Sequence, residues 1–215
     1  NLPIPKSKIK IMKSLKIQAR RKKKYVVTTN SKHNFHIPEN LLNRNFNVDR
    51  INRVWVGDIT YIRVNHNWMY LTVVLDLADR MVVGWNLSDN MTANDTSIAA
   101  FNKAIQSRNL KKEDQIMFHS DRGVQYACSE FTSKLDEYNC TQSMSRKGNC
   151  WDNAVSESFF HSLKTELIHH QRYETRGEAK QEIFEYIEVF YNRERIHSAN
   201  YYLSPVDYEI QQKAA

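Results

Sequence analysis

The 215-residue chain is predicted to fold as an α/β domain, a five-stranded mixed sheet flanked by helices, that follows a basic N-terminal arm. After residue 53, apolar residues follow a period of two through three consecutive segments, which is typical of half-buried strands. Beyond residue 90, the spacing of apolar residues alternates between the helical and the strand period. The predicted order is helix, strand, helix, strand, helix, helix, which places helices on the faces of the sheet. Residues 1–50 contain 13 Lys and Arg against 2 Asp and Glu, whereas residues 51–215 contain 18 against 22. The positive charge is therefore concentrated in the arm.

The basic arm, residues 1–29, is predicted to bind DNA, because each cation placed at a phosphate releases counterions. Its densest stretch consists of Arg20, Arg21, Lys22, Lys23 and Lys24. A solvated tail that only improves solubility is the alternative. Within the arm, residues 8–19 are predicted as a short amphipathic helix. The Asn-rich residues 30–52 are predicted as a linker, so the compact domain begins near residue 53.

The first three elements are predicted as an antiparallel meander. Strands are expected at Val54–Val64, Trp68–Leu77 and Met81–Leu87, because apolar and polar residues alternate in each segment. Short turns at Asn65–Asn67 and Asp79–Arg80 join them, which leaves only antiparallel connections.

The remaining elements alternate between helix and strand. In chain order they are a helix from the capping box Thr92–Asp95, a strand at Ile116–Phe118, a helix through residues 131–138, a strand at Thr141–Met144, and helices that begin near Gly148 and at the capping box Thr175–Glu178. In the helix after Gly148, one broad apolar stripe faces the core and consists of Val155, Phe159, Phe160, Leu163 and Leu167.

Composition excludes several classes of protein. No apolar run approaches the ~18 residues of a membrane span, and the lysines near the N-terminus are not followed by the apolar region of a secretion signal. Cys128, Cys140 and Cys150 are odd in number and form no zinc motif, which is typical of reduced thiols in the cytoplasm. We therefore expect a cytoplasmic protein without a membrane partner.

Two acids occupy unusual strand positions. Asp58 shares a strand face with Val56 and Ile62, and a carboxylate in such apolar surroundings needs a partner. A cation is one candidate, and a hydrogen bond from Tyr61 or from a backbone amide is the other. Asp121 ends the fourth strand, where side chains face solvent and ligands, although an ordinary turn aspartate is the alternative.

A third acid, Glu157, lies on a polar helix stripe, for which a solvated face is the alternative. Asn153, His161 and Lys164 share this stripe. If the first and fourth strands are neighbours, Asp58 and Asp121 meet there, with Glu157 laid across their ends. Three close carboxylates favour Mg²⁺ or Mn²⁺. Two such ions roughly 3.5–4 Å apart support in-line phosphoryl displacement.

Residues from about 40 to 205 carry ordered motifs that resemble the OrfB-type transposases of bacterial insertion sequences, whose core resembles retroviral integrases. The motifs are Trp55–Tyr61, His119–Tyr126, Ser143–Ala154, Glu157–Phe160 with Leu163–Glu166, and Tyr191-Asn192 with Arg195, His197 and Ser204-Pro205. Between Asp121 and Glu157 lie 35 residues, which is the spacing that this family uses between its second and third catalytic acids.

The resemblance implies an RNase H-like integrase catalytic core over residues 53–198, with a C-terminal tail over 199–215. It implies a catalytic triad of Asp58, Asp121 and Glu157 that binds two Mg²⁺ ions, for which Mn²⁺ substitutes. The implied activity is DNA cleavage and 3′-hydroxyl strand transfer at insertion-sequence ends, in some relatives through a circular intermediate. The implied partners are terminal repeats, target DNA, a second copy of the chain, and an upstream helix-turn-helix protein or fusion segment.

Supporting residues are predicted around the helix that carries Glu157. Ser145, Arg146 and Lys147 precede it in a loop and are expected to hold DNA phosphates, with surface solvation as the alternative. Asn153 and Lys164 are expected to contact the terminal nucleotides. Gln125 and Tyr126 either shape the Asp121 turn or contact DNA, and Arg195 and His197 are expected to be structural. Asp76, Asp79 and Asp152 are interpreted as ordinary acids near turns.

Two other functions remain open at this stage. A nuclease of the same fold would hydrolyse DNA without joining it. A non-catalytic DNA-binding regulator encoded by the element would need none of the three acids, and their presence argues against it.

Overall fold

The computed structural model describes residues 33–214 of the chain. The basic stretch Arg20–Lys24 and the predicted helix over residues 8–19 lie outside this range, so their predicted roles stay predictions. Among the described residues, no helix combines the length and the apolar character that crossing a bilayer requires.

Five strands form one mixed sheet with the order β3-β2-β1-β4-β5. The strands are β1 Val54–Val64, β2 Asn67–Asp76, β3 Val82–Ser88, β4 Met117–Ser120 and β5 Thr141–Met144. β1, β2 and β3 form the predicted antiparallel meander, while β4 pairs with β1 and with β5 in parallel. The predicted mixed sheet is thus confirmed, including the neighbouring positions of the first and fourth strands.

Helices cover both faces of the sheet. They are α1 Ala99–Arg108, α2 Val124–Ala127, α3 Ser129–Asp136, α4 Ala154–Glu166, α5 Arg176–Phe184 and α6 Pro205–Ala214. A π-helical turn, Asn94–Ile98, precedes α1, a 3₁₀ turn, Cys150–Asn153, precedes α4, and a π-helical stretch, Glu185–Glu194, continues α5. The capping box predicted at Thr175 and Glu178 is present at the start of α5.

The two faces bury separate apolar clusters because strand side chains alternate between them. Val56, Ile62 and Val64 of β1 pack with Phe159 and Leu163 of α4 on one face. On the other face, Trp55 of β1 packs with α1, α2 and α3. α4 therefore lies on the face to which Asp58 belongs by alternation.

The predicted linker and tail both contain packed residues. Leu42 is buried, and Phe46 and Val48 pack against the cluster beneath α4. The predicted tail over residues 199–215 contains helix α6, whose Tyr208 is buried. Apolar contact with the core orders both segments, a tertiary effect that local composition does not reveal.

Candidate active site

Asp58 and Asp121 lie at equivalent positions of two neighbouring parallel strands. The last register pair between β1 and β4 joins Gly57 to Ser120, and the next residue on each chain is the aspartate. Neighbouring strands run about 4.8 Å apart. β4 ends at this point, so Asp121 follows its carboxyl end directly beside the middle of β1. Two residues that are 63 positions apart in the sequence thus become neighbours.

Glu157 reaches the same region from α4. The helix is fixed to the sheet by Phe159, Phe160 and Leu163, which are all buried. These anchors lie two, three and six residues after Glu157, so they leave its side chain exposed on the first turn of the helix. The apolar stripe predicted from the sequence therefore orients the third acid.

The charges of Asp121 and Glu157 both act on Asp58. Burial raises the pKa of Asp58 well above its ordinary value, and the negative charges of Asp121 and Glu157 raise it further. The Ile59 amide and the Lys164 ammonium oppose this shift. Burial also raises the pKa of Glu157. A negative charge on Asp58 is therefore costly unless a cation neutralises it.

Backbone amides also contact the two aspartates. The Ile59 amide donates to Asp58 Oδ1 at 2.8 Å, and the Gly123 amide donates to Asp121 Oδ1 at 2.9 Å. Of the alternatives that the sequence left open, the backbone partner of Asp58 and the turn geometry of Asp121 both occur. These bonds fix the orientation of each carboxylate and are compatible with further ligands, because a carboxylate has about four acceptor positions.

Tyr126 closes the site from beneath. Its ring packs against Phe118 and Phe131 in the opposite apolar cluster, and its buried hydroxyl has no hydrogen-bond partner among residues 33–214. Burial and the charges of Asp58 and Asp121 raise its pKa. The predicted role of Tyr126 in shaping the Asp121 turn is compatible with its position beside Asp121.

Comparison with known proteins identifies the family. One family model, described as an integrase core domain, matches residues 48–150, and a second of the same description matches residues 157–212. Transposase InsF for insertion sequence IS3fB of Escherichia coli (strain K12) is 40% identical over 198 residues, which is 92% of this chain and 68% of that protein. The chain belongs to the insertion-sequence transposases with an integrase core.

A second relative, whose name calls it uncharacterized, comes from another insertion element. A 31 kDa protein of insertion element IS600 from Shigella sonnei is 39% identical over 91% of this chain and 71% of that protein. The chain thus spans about two thirds of the length of these relatives. The resemblance inferred from the sequence motifs is confirmed.

Solved structures share the fold at low sequence identity. The HTLV-2 integrase catalytic core domain in complex with magnesium is 18% identical, with a TM-score of 0.51 over 69% of this chain and 92% of that chain. The catalytic domain of Mos1 mariner transposase is 15% identical, with a TM-score of 0.55 over 76% of this chain and 82% of that chain. The predicted RNase H-like fold of the transposase is therefore confirmed.

The three acids of this transposase suit a hard cation by their chemistry. Carboxylate oxygens are preferred ligands of Mg²⁺ and Mn²⁺, and burial, followed by the negative charges of Asp121 and Glu157, raises the pKa of Asp58. Within residues 33–214, no three His, Cys, Asp or Glu side chains are gathered closely enough to form a metal cage. The donor set thus fits a divalent ion, while a closed coordination geometry is absent from the described residues.

The loop before α4 differs from its prediction at Ser145. This side chain is buried; its hydroxyl lies 3.2 Å from His119 Nε2 and donates to the Ser120 carbonyl oxygen. Ser145 therefore stabilises the β4–β5 edge instead of facing a phosphate, because the loop turns inward at this residue. The Lys147 side chain is exposed, and its DNA contact stays a prediction.

Arg146 is held by an acid that the sequence did not single out. Its Nε and Nη2 donate to the buried Asp152 carboxylate at 2.9 and 2.8 Å, and Arg44 donates to the same group at 2.8 Å. Asp152 is thus the anchor of this loop, a structural role that is more extensive than that of the ordinary turn acid expected from the sequence. The guanidinium of Arg146 remains half-exposed, so its predicted DNA contact stays a prediction.

Lys164 lies on the same helix as Glu157, whereas Asn153 lies in the 3₁₀ turn before that helix and not on the predicted polar stripe. Burial lowers the pKa of Lys164 while the charge of Asp58 opposes this, so the ammonium lies within electrostatic reach of that carboxylate. Asn153 is buried, and its Oδ1 has no hydrogen-bond partner among the described residues.

Arg195 donates from Nη2 to Glu166 at 2.9 Å, which ties the end of the π-helical stretch to α4. This contact gives the expected structural role of Arg195 a geometric basis.

Proposed function

We propose that this transposase cuts DNA at the ends of its insertion sequence and joins the resulting 3′-hydroxyl to a second phosphodiester. Asp58, Asp121 and Glu157 are the catalytic residues of the proposal. The observation that carries it is the adjacency of Asp58 and Asp121 on paired parallel strands, with the helix of Glu157 on the same face of the sheet.

In this proposal, the three carboxylates hold two divalent metal ions, Mg²⁺ or Mn²⁺. When bound, such ions neutralise the carboxylates, activate the nucleophilic oxygen and stabilise the leaving oxygen. The related HTLV-2 integrase core was solved with magnesium and the Mos1 catalytic domain with manganese. The protein itself orients the two aspartates, because the backbone amides of Ile59 and Gly123 donate hydrogen bonds to them.

Cationic side chains are proposed to hold the DNA. Lys164 lies beside the acids, where its ammonium would contact a phosphate next to the reacting one. Arg146 and Lys147 approach from the loop before α4, Asn153 would contact a terminal nucleotide, and Arg20–Lys24 would follow the duplex backbone. Because joining requires two ends at one target, we infer at least a dimer on DNA. A helix-turn-helix partner or fused segment would supply end recognition.

Strand joining distinguishes this proposal from hydrolysis alone. The substrate is a radiolabelled duplex with the terminal sequence of the element and a free 3′-hydroxyl. It is incubated with the protein, Mn²⁺ and a supercoiled target plasmid. We expect labelled plasmid, and we expect none when the end is a 3′-dideoxy terminus, because the nucleophile is missing. Hydrolysis of DNA in the same reaction, with labelled ends that never join the plasmid, would instead indicate a nuclease. Binding with neither product would indicate a regulator.

A further inference from the structure

A tight turn at Asn200–Leu203 carries two tyrosines in an unfavourable backbone conformation. The Leu203 amide donates to the Asn200 carbonyl at 3.0 Å, and φ is positive at both central residues, 54° at Tyr201 and 64° at Tyr202. These are the features of a type I′ turn, whose central positions are normally Asn and Gly because side chains with a Cβ are strained there. Tyrosine is therefore poorly suited to both central positions of this turn.

The surrounding contacts hold this turn firmly. The side chain of Asn200 is fully buried, and its Nδ2 donates to the Asp79 carbonyl at 2.5 Å. The His197 amide donates to the Leu203 carbonyl at 3.1 Å, and the Tyr202 amide donates to the His197 carbonyl at 2.9 Å. The turn is therefore anchored to the β2–β3 connection and closed by its own ladder.

The two rings nevertheless lie in solvent. Tyr201 is 81% exposed and Tyr202 is 67% exposed, so neither ring contributes much to the core. Backbone strain retained without a packing benefit points to a role outside folding. Two exposed aromatic rings on an anchored backbone suit stacking, because every base has a face that an aromatic ring can cover.

A cavity of about 460 Å³ is lined in part by residues 195–199, which directly precede this turn in the sequence. Its walls include Ser158 and Ser162 of α4, residues 195–199, and Arg80 from the β2–β3 connection. Its volume lies in the range of roughly 300–1,000 Å³ that small-ligand sites occupy. Ser158 and Ser162 lie about 100° and 140° around α4 from Glu157, so the cavity is on a different side of the helix from the three acids.

The cavity has a positive lining. Arg80, Arg195 and His197 line it, and none of its lining residues is acidic. Arg195 is already paired with Glu166. Nη1 of Arg80 and Nε2 of His197 have no hydrogen-bond partner among residues 33–214, but both atoms are shielded from solvent. The cavity therefore offers an anion the positive charge of two guanidinium groups without a nearby lining acid to repel it.

We propose that the Tyr201-Tyr202 turn and the adjoining cavity form a second DNA contact, which binds unpaired nucleotides. The bases stack on the two tyrosines, and a backbone phosphate enters the cavity, where Arg80 and Arg195 supply positive charge. Unpaired DNA is favoured over duplex because stacking on a side chain needs a base face that is not covered by its neighbours. The inference takes DNA as the ligand from the proposed function, but it involves none of the three acids.

The test separates ring chemistry from turn stability. The double variant Tyr201→Asn, Tyr202→Gly restores the residues that a type I′ turn prefers, so its melting temperature is expected to equal or exceed that of wild type. Binding of a fluorescent oligothymidine is measured by anisotropy without metal, with a blunt duplex of equal length for comparison. We expect the single-strand Kd to rise at least about tenfold and the duplex Kd to remain within about twofold.

Matched variants complete the experiment. Phe184→Ala removes an exposed aromatic ring from α5 and is expected to leave both affinities unchanged. Arg80→Gln is expected to reduce the slope of log K against log salt for the single strand by about 0.7, and Arg80→Lys is expected to restore it. Unchanged single-strand binding in the tyrosine variant would overturn the proposal, as would an equal loss for duplex. A changed oligomeric state with unchanged DNA binding would overturn it in favour of a protein contact.

The strand-joining assay keeps this inference distinct from the proposed function. If wild type joins ends while the tyrosine variant binds the single strand normally, only the second contact is wrong. If wild type binds the single strand through the tyrosines but never joins ends, only the proposed reaction is wrong.

Discussion

Asp152 receives five hydrogen bonds from three residues, Asn40, Arg44 and Arg146. The carboxylate is fully buried while both guanidinium groups are about half exposed. These donors hold the pKa of Asp152 below its usual range. The residue joins the segment before β1 to the loop before α4, and it thereby positions the entry to the helix of Glu157.

Asp152→Asn is expected to destabilise the fold by about 1–3 kcal/mol at pH 7, because charge-assisted bonds are lost and a buried amide faces two guanidinium groups. Urea denaturation measures the difference. A folded pKa below the unfolded value means that this stabilisation is present above about pH 4 and is lost as the pH falls further. The gap between wild type and variant should therefore narrow below about pH 4, and a constant gap would contradict this account.

At the residue scale, the sequence was informative where a side chain conflicts with its local pattern. Asp58 conflicts with the apolar face of a strand, and Glu157 follows from the helix stripe and the motif spacing. Asp152 conflicts with nothing nearby, because its partners Asn40 and Arg44 lie more than 100 positions away. Such contacts exist only after the chain has folded, so local patterns could not predict them.

At the element scale, helix α1 lies directly on strand β3 at Gly84. A Cβ at this position would lie 2.3 Å from the Ala100 carbonyl oxygen and 2.6 Å from the Ala104 nitrogen. Both contacts are with helix backbone, which cannot move aside as the end of a flexible side chain can. The two elements pack this closely only because the strand has no side chain there.

Gly84→Ala is expected to cost about 1–3 kcal/mol, because the added methyl forces the helix away from the sheet. Gly177→Ala is the matched control: the nearest atom to its Cβ is Thr175 Oγ1 at 3.9 Å, and Ala is favoured over Gly inside a helix. The control should be neutral or slightly stabilising in the same urea titration. Equal losses in both variants would show that close packing is not the cause.

Helices and strands with a clear apolar period could be predicted from the sequence. The pairing of the strands was harder to predict. The alternation over Val54–Val64 predicts β1 with the bounds that the structure has. The four-residue helix α2 is too short for a helical period and was not predicted. The residue-by-residue register between β1 and β4 is also absent from the periodicity, since it depends on contacts between residues more than 60 positions apart.

At the scale of the whole molecule, one buried charge cluster joins three parts of the fold. Arg108 at the end of α1 pairs with Asp79 in the β2–β3 turn and with Glu209 of α6 at 2.6 Å, and Asp76 lies 4.0 Å away. Burial and the nearby charge of Asp76 raise the pKa of Asp79 to about 7, against the attraction of Arg108. Like Asp152, Asp76 and Asp79 are buried here, although the sequence interpreted them as ordinary turn acids.

The raised pKa of Asp79 makes global stability depend on pH. Because the folded state keeps a proton that the unfolded state releases, this contribution is complete below about pH 4 and declines as the pH rises to about 7. Wild type should therefore lose up to about 1.4 kcal/mol per pH unit across this window relative to Asp79→Asn. Urea titrations at several pH values test the difference in slope. Parallel stability curves for the two proteins would contradict the shifted pKa.

The central claim is that Asp58, Asp121 and Glu157 form one catalytic site. The most direct measurement is the rate of strand transfer from a labelled 3′-hydroxyl end in Mn²⁺ for wild type, Asp121→Asn, Glu157→Gln and the control Glu185→Gln, an exposed acid beyond α5. Thermal melting confirms that each protein is folded. We predict that both active-site variants lose at least about 10²–10³-fold in rate while the control retains it. Strand transfer at the wild-type rate in either variant would contradict the assignment.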